Sequence, residues 1–108
     1  MKGTNLGEFE ELVLLTVGVL GKDAYGLDIK DDLSERTGRN PSIGALHSAL
    51  TRLEEKGYLN SKMEEATAER RGRRKRFYAL TAAGVNALQA IHQQRSSMIQ
   101  MIPNISLE

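Results

Sequence analysis

Six of the seven residues from Arg70 to Arg76 are basic, broken only by Gly72. Closely spaced guanidinium and ammonium groups suit one chemistry above others, the neutralisation of a polyanion such as a phosphate backbone. The nine other basic residues of the chain face fourteen acidic ones, so a net charge of +1 hides one basic segment on a mildly acidic body. On an extended ribbon Arg71, Arg73 and Lys75 alternate with Arg74 and Arg76, and Arg70 leads the run, so cationic groups occupy both faces. Such a segment can also be a solvated charge cluster, but its density against an acidic remainder points to nucleic acid. RNA fits less well, because Phe77 and Tyr78 read as strand core and not as a stacking platform.

A second constellation lies between Asn40 and Gly57. Ile43, Leu46, Leu50 and Leu53 form one apolar stripe at helical spacing, with Ser42 as the cap and Pro41 beside it. At 100° per residue Gly44, Ser48, Thr51, Arg52 and Glu55 fall opposite the stripe, with His47 on the flank. That face is narrow and carries small residues near its start, as a helix must to enter a major groove. Hydroxyls, an imidazole and a guanidinium can bond to phosphates and base edges. The same face would equally suit plain solvent.

A third set lies near the C-terminus. Leu88, Ile91, Arg95, Met98 and Ile102 repeat every three or four residues, a heptad-like seam that a second copy of the chain could cover. Packing wholly inside its own domain is the other reading. Catalytic constellations are missing. Cys is absent, which excludes thiolate chemistry, disulfides and iron–sulfur clusters. His47 and His92 have no companions at metal-ligand spacing, so neither a metal nor a cofactor is expected. Ser96 and Ser97 lack the context of a nucleophile elbow. The chain is therefore expected not to be an enzyme. No apolar run is long enough for a membrane span, and Leu12 to Leu20 follows Glu8, Glu10 and Glu11 where an export signal would carry positive charge. A cytoplasmic location is expected.

These residues need elements to hold them. Residues 1–7 read as a loose polar arm. Phe9, Leu12, Val13, Val17 and Leu20 predict a helix from Glu8, apolar on most sides; a buried strand over 12–20 competes. Gly21 to Asp23 is a turn in which Asp23 could cap a second helix carrying Tyr25, Ile29 and Leu33 and stopped by Gly38. The third helix ends at Lys56 and Gly57. Two strands, near 58–63 and 75–80, flank the basic loop as a hairpin. Thr81 caps a last helix from Ala82 to about Ile102, with Pro103 as its stop. The expected order is α-α-α-β-β-α, mostly helical with one small hairpin.

Four stretches in this order resemble the PadR family of bacterial transcriptional regulators. They are Leu6 to Leu15, Ala24 to Ile29, Leu50 to Leu59 and Gly72 to Gly84, and the likeness spans about residues 6–90. It is nearest to the short members, which have one C-terminal helix. The resemblance implies a winged helix-turn-helix over residues 1–80, and a dimerisation helix and tail over 81–108. It implies a homodimer and repression at a pseudo-palindromic operator in double-stranded DNA. On this pattern Ser42 to Arg52 is the recognition helix, with Ser42, Gly44, His47, Ser48, Thr51 and Arg52 toward DNA. Arg70, Arg71, Arg73, Arg74 and Lys75 form the wing. Val13, Val17, Leu88, Ile91, Met98 and Ile102 are expected at the dimer interface. Val13, Val17, Leu88, Ile91, His92 and Arg95 are expected around a small effector, as many members bind one there. Two positions depart from the family pattern. His47 stands where Tyr is common, and the chain has no Trp in its last helix, where Arg95 falls near the position that stacks planar drugs in some members.

The sequence thus reads as a dimeric, sequence-specific regulator, a repressor relieved by a small effector. The alternative is a winged-helix adaptor or antirepressor that uses the same surfaces on an acidic protein and has no operator of its own. The outer face of the third helix discriminates, because it offers no apolar anchor of the kind an adaptor needs.

Overall fold

The computed structural model describes residues 6–64 and 75–104. Its elements are α1 (Glu8–Leu20), a 3-10 turn (Gly21–Asp23), α2 (Gly26–Thr37), α3 (Ile43–Glu55), β1 (Leu59–Glu64), β2 (Lys75–Leu80) and α4 (Ala82–Gln100). This is the order read from the sequence. Residues 12–20 are helical and not a strand. Val13, Leu14 and Val17 turn inward at helical spacing while Leu15 and Val19 stay exposed. Three acidic residues in the first turn of α1 match the positive end of the helix.

One core joins the elements. Val13, Leu14 and Val17 from α1 meet Ile29 and Leu33 from α2, Leu46, Ala49, Leu50 and Leu53 from α3, and Leu59 and Tyr78 from the hairpin. The boundaries of α2 and α3 follow from local chemistry. Gly38 takes φ 74° and its N–H bonds to the Ser34 carbonyl at 2.9 Å, closing α2. Four residues later Ser42 opens α3, its hydroxyl accepting from the Ala45 N–H at 3.0 Å. At the far end Gly57, with φ 82°, donates to Glu54 while Tyr58 donates to Leu53. That bonding pattern stops α3 and turns the chain into β1.

β1 and β2 pair antiparallel from Leu59↔Leu80 to Glu64↔Lys75. The residues between, including Arg70, Arg71, Arg73 and Arg74 of the expected wing, lie outside the described residues. Asp23 was expected to cap α2, and it does not. It sits in the 3-10 turn, and Tyr25 is the N-cap without a side-chain bond. The chain spends Ala24 and Tyr25 on the hairpin instead. The Tyr78 N–H donates to the Ala24 carbonyl at 2.8 Å, and Tyr25 forms an isolated antiparallel bridge with Phe77. Leu6, expected in a loose arm, packs against the core.

α4 is fixed at its start. The Thr81 hydroxyl accepts from the Gly84 N–H at 3.0 Å and donates to the Gly57 carbonyl at 2.6 Å, while the Thr81 N–H bonds to the Tyr58 carbonyl. A Cβ on Gly84 would lie 2.3 Å from that same carbonyl oxygen, so only glycine permits the approach. Near its start the Leu80 side chain lies against Gly18, and further along Arg95 reaches Glu11. α4 therefore runs antiparallel to α1. Ala87, Ile91 and partly buried Leu88 face inward, whereas Met98, Met101 and Ile102 are exposed. Among the described residues no helix is long and apolar enough to cross a membrane.

Candidate nucleic-acid interface

The outer face of α3 is built as the periodicity requires. Leu46, Ala49, Leu50 and Leu53 are buried, and Gly44, His47, Ser48, Thr51 and Arg52 are exposed. Ile43 departs from the expected stripe: it is 64 % exposed, while Ala49, further along the helix, joins the buried face. Ser42 is exposed but its hydroxyl is engaged as the helix cap. Gly44 stands in the open, with the nearest atom to an added Cβ being the Ser42 hydroxyl at 4.0 Å. The start of α3 is thus slender as well as exposed.

Arg52 has a partner that the sequence reading missed. Its Nε donates to Glu10 Oε2 at 2.7 Å, and Lys56 Nζ donates to Glu10 Oε1 at 2.8 Å. The Gly7 N–H, at the start of α1, adds a third bond to the same carboxylate at 3.1 Å. Glu10 is only 6 % exposed. Burial by itself would push its pKa up, but the bonds from Lys56, Arg52 and Gly7, with the Lys56 charge, outweigh burial and lower it from 4.5 to about 2. A signal for this was present, since Glu10 shares the inward face of α1 with Val13, Leu14 and Val17. Arg52 was expected to face a groove. Half of its side chain remains exposed, but its Nε is committed to α1.

The hairpin is tied to α3 and to α2. Arg76 Nη1 donates to the Ser61 hydroxyl at 2.9 Å, which donates to Glu54 Oε2 at 2.8 Å. Lys75, expected in the wing, opens β2 and holds its Nζ 3.8 Å above the Tyr25 ring. Phe77, two residues along the same strand face, meets Tyr25 edge-on at 5.3 Å. The root of the basic loop is therefore braced by a cation–aromatic stack.

The expected dimer and effector residues fall into two groups. Val13 and Val17 are 0 % and 1 % exposed within the single chain. They offer nothing to a second chain or to a ligand, because helical spacing turns them into the core. Leu15 and Val19 form the outer apolar face of α1 instead. Ile91 is also buried, and Leu88 is partly so. Met98 and Ile102 are exposed, as is His92. Arg95 is expected from the sequence beside a small effector. It pairs with Glu11 of its own chain at 3.2 Å. Among the described residues no cluster of acidic or histidine side chains could hold a metal ion.

The fold has known counterparts. A PadR-like transcription factor from Bacteroides fragilis superposes with a TM-score of 0.73 at 26 % identity, over 91 % of this chain and 89 % of that one. A PadR family transcription regulator from Clostridium difficile R20291 gives 0.68 at 27 %, over 82 % and 91 %. The hsRosR-S1 complex gives 0.70 at 28 %, over 91 % and 80 %. Comparison of the sequence with curated proteins finds no match. The family model for the transcriptional regulator PadR-like family matches residues 14–90. An exposed slender helix beside a braced hairpin, in a chain matched by that model over most of its length, makes this protein a member of the PadR-like family of transcriptional regulators.

Proposed function

We propose that this regulator is a homodimeric repressor that binds double-stranded DNA at a pseudo-palindromic operator. The observation that carries the reading is the outer face of α3, where Gly44, His47, Ser48 and Thr51 are all exposed around a narrow helix. In this reading α3 lies in the major groove, and the arginines from Arg70 to Arg74 neutralise phosphates beside it. Arg52 acts from its seat on Glu10, at the rim of that face. The exposed apolar residues Met98 of α4 and Ile102 just beyond its end, with Leu15 and Val19 of α1, are the surface for the second copy. Release by a small effector belongs to the same reading. Its place is where α4 crosses α1, beside Leu88, His92 and Arg95, with the second chain completing the wall. A cytoplasmic location belongs to the same proposal.

Duplex DNA titrated at a series of salt concentrations tests the reading. Affinity should fall steeply and linearly on a logarithmic salt scale. In Arg73→Ala, one phosphate contact is lost per subunit, so the slope should flatten by about 2 units, with similar losses on specific and random duplexes. A wild-type protein that binds no duplex at low salt would overturn the proposal and favour an adaptor role.

A further inference from the structure

We infer that Ile43 selects thymine, by packing against its 5-methyl group at one position of each operator half-site; the inference rests on the DNA reading above. Ile43 is a core residue by type, and its spacing from Leu46 and Leu50 puts it on their stripe. It is nevertheless 64 % exposed, and Gly44 and Ala45 beside it are exposed too. The first turn of α3 stands clear of the core that covers its next turns.

That turn holds no side chain able to give or take a hydrogen bond. Ile43, Gly44 and Ala45 cannot recognise donors or acceptors on a base edge; Ser42, the cap before the turn, accepts the Ala45 N–H at 3.0 Å and keeps its own O–H to donate. Nor does an isoleucine suit a phosphate. The apolar feature that a base presents in the major groove is the 5-methyl of thymine. Gly44 leaves open space beside Ile43, so the helix can approach closely enough for the branched side chain to reach a methyl group. His47 and Ser48, about one turn further on, then hydrogen-bond to neighbouring base edges.

The test replaces thymine by deoxyuridine, which removes the methyl group and leaves the base pairing unchanged. A duplex is first selected from random sequence with the wild-type protein. Each thymine of its half-sites is then replaced in turn, and Kd is measured for wild type, Ile43→Ala and Ile43→Val. At one thymine per half-site, deoxyuridine should weaken wild-type binding about 4-fold, and about 15-fold when both half-sites carry it, the worth of a methyl group taken from water. Ile43→Ala should bind the two duplexes equally, and Ile43→Val should keep most of the difference. All three proteins should give the same circular dichroism, since the side chain is outside the core. Wild-type indifference to deoxyuridine at every position would overturn the inference, as would an undiminished penalty in Ile43→Ala. Failure to select any duplex would instead overturn the DNA reading, and this inference with it.

Discussion

Glu10 shows how one buried charge can position a surface helix. Its carboxylate collects Arg52 of α3, Lys56 at the end of α3 and the N–H of Gly7, the N-cap of α1. Because its pKa falls from 4.5 to about 2 on folding, it stabilises the fold fully above pH 4.5. That contribution is lost as pH drops through 2. A shift of this size is worth no more than about 3 kcal/mol, and less here because Arg52 is half exposed. Glu10→Gln should cost roughly 2 kcal/mol at neutral pH in urea unfolding, and the gap from wild type should close as pH falls from 4.5 toward 2. A gap that stays constant across that range would show that the loss is one of packing and not of charge. Two helical glycines provide a contrast at the same scale. Helix propensity alone favours alanine at both by about 0.5–1 kcal/mol. Gly44→Ala should deliver that gain, because the new Cβ would meet only the Ser42 hydroxyl, at an unstrained 4.0 Å. Gly84→Ala should instead lower stability by roughly 1–3 kcal/mol, because the Tyr58 carbonyl is rigid backbone. Thermal unfolding of the two variants decides.

Among the elements, α4 divides into a half covered by its own chain and a half that is not. Ile91 is 7 % exposed and Met98 is 62 % exposed, although seven residues apart they share one helix face. Glutamate at the two positions should act differently. Ile91→Glu buries an unpaired charge and should unfold the chain. Met98→Glu with Ile102→Glu should leave a folded protein that sediments as a monomer, while wild type sediments as a dimer at micromolar concentration. A folded double variant that remains dimeric would move the interface elsewhere. The helix pattern of the chain, its caps at Ser42 and Thr81 and its stops at Gly38 and Gly57 were all legible in the sequence, because each depends on residues within a turn or two. The exposure of Ile43, the partnership of Arg52 with Glu10 and that of Arg95 with Glu11 were not. Periodicity tells which residues share a face, but not where the neighbouring element ends or which distant charge arrives there. The same limit explains Val13 and Val17: that α1 is apolar on most sides is legible in the sequence, but which of its sides faces the core is not.

The whole molecule measures 57 × 28 × 22 Å, and its long axis matters for the proposed function. Thr81 and Gly84 fasten the start of α4 to Gly57 and Tyr58, the stop of α3. The helix proposed to read DNA and the helix proposed to pair two copies are thus joined through a rigid corner and not through a linker. Two chains joined along α4 would hold their α3 helices at a set separation. For a symmetric reader of B-DNA that separation is about 34–36 Å, one helical turn, or a multiple of it. An effector acting where α4 meets α1 could then weaken operator binding by altering the separation, without dissociating the dimer. The most direct test of the central claim is selection of binding sites from random duplex DNA by the wild-type protein. A dimer with fixed reading helices should enrich an inverted repeat whose half-site centres lie a whole number of helical turns apart. A selected pool with no common sequence, or with single unpaired sites only, would contradict it.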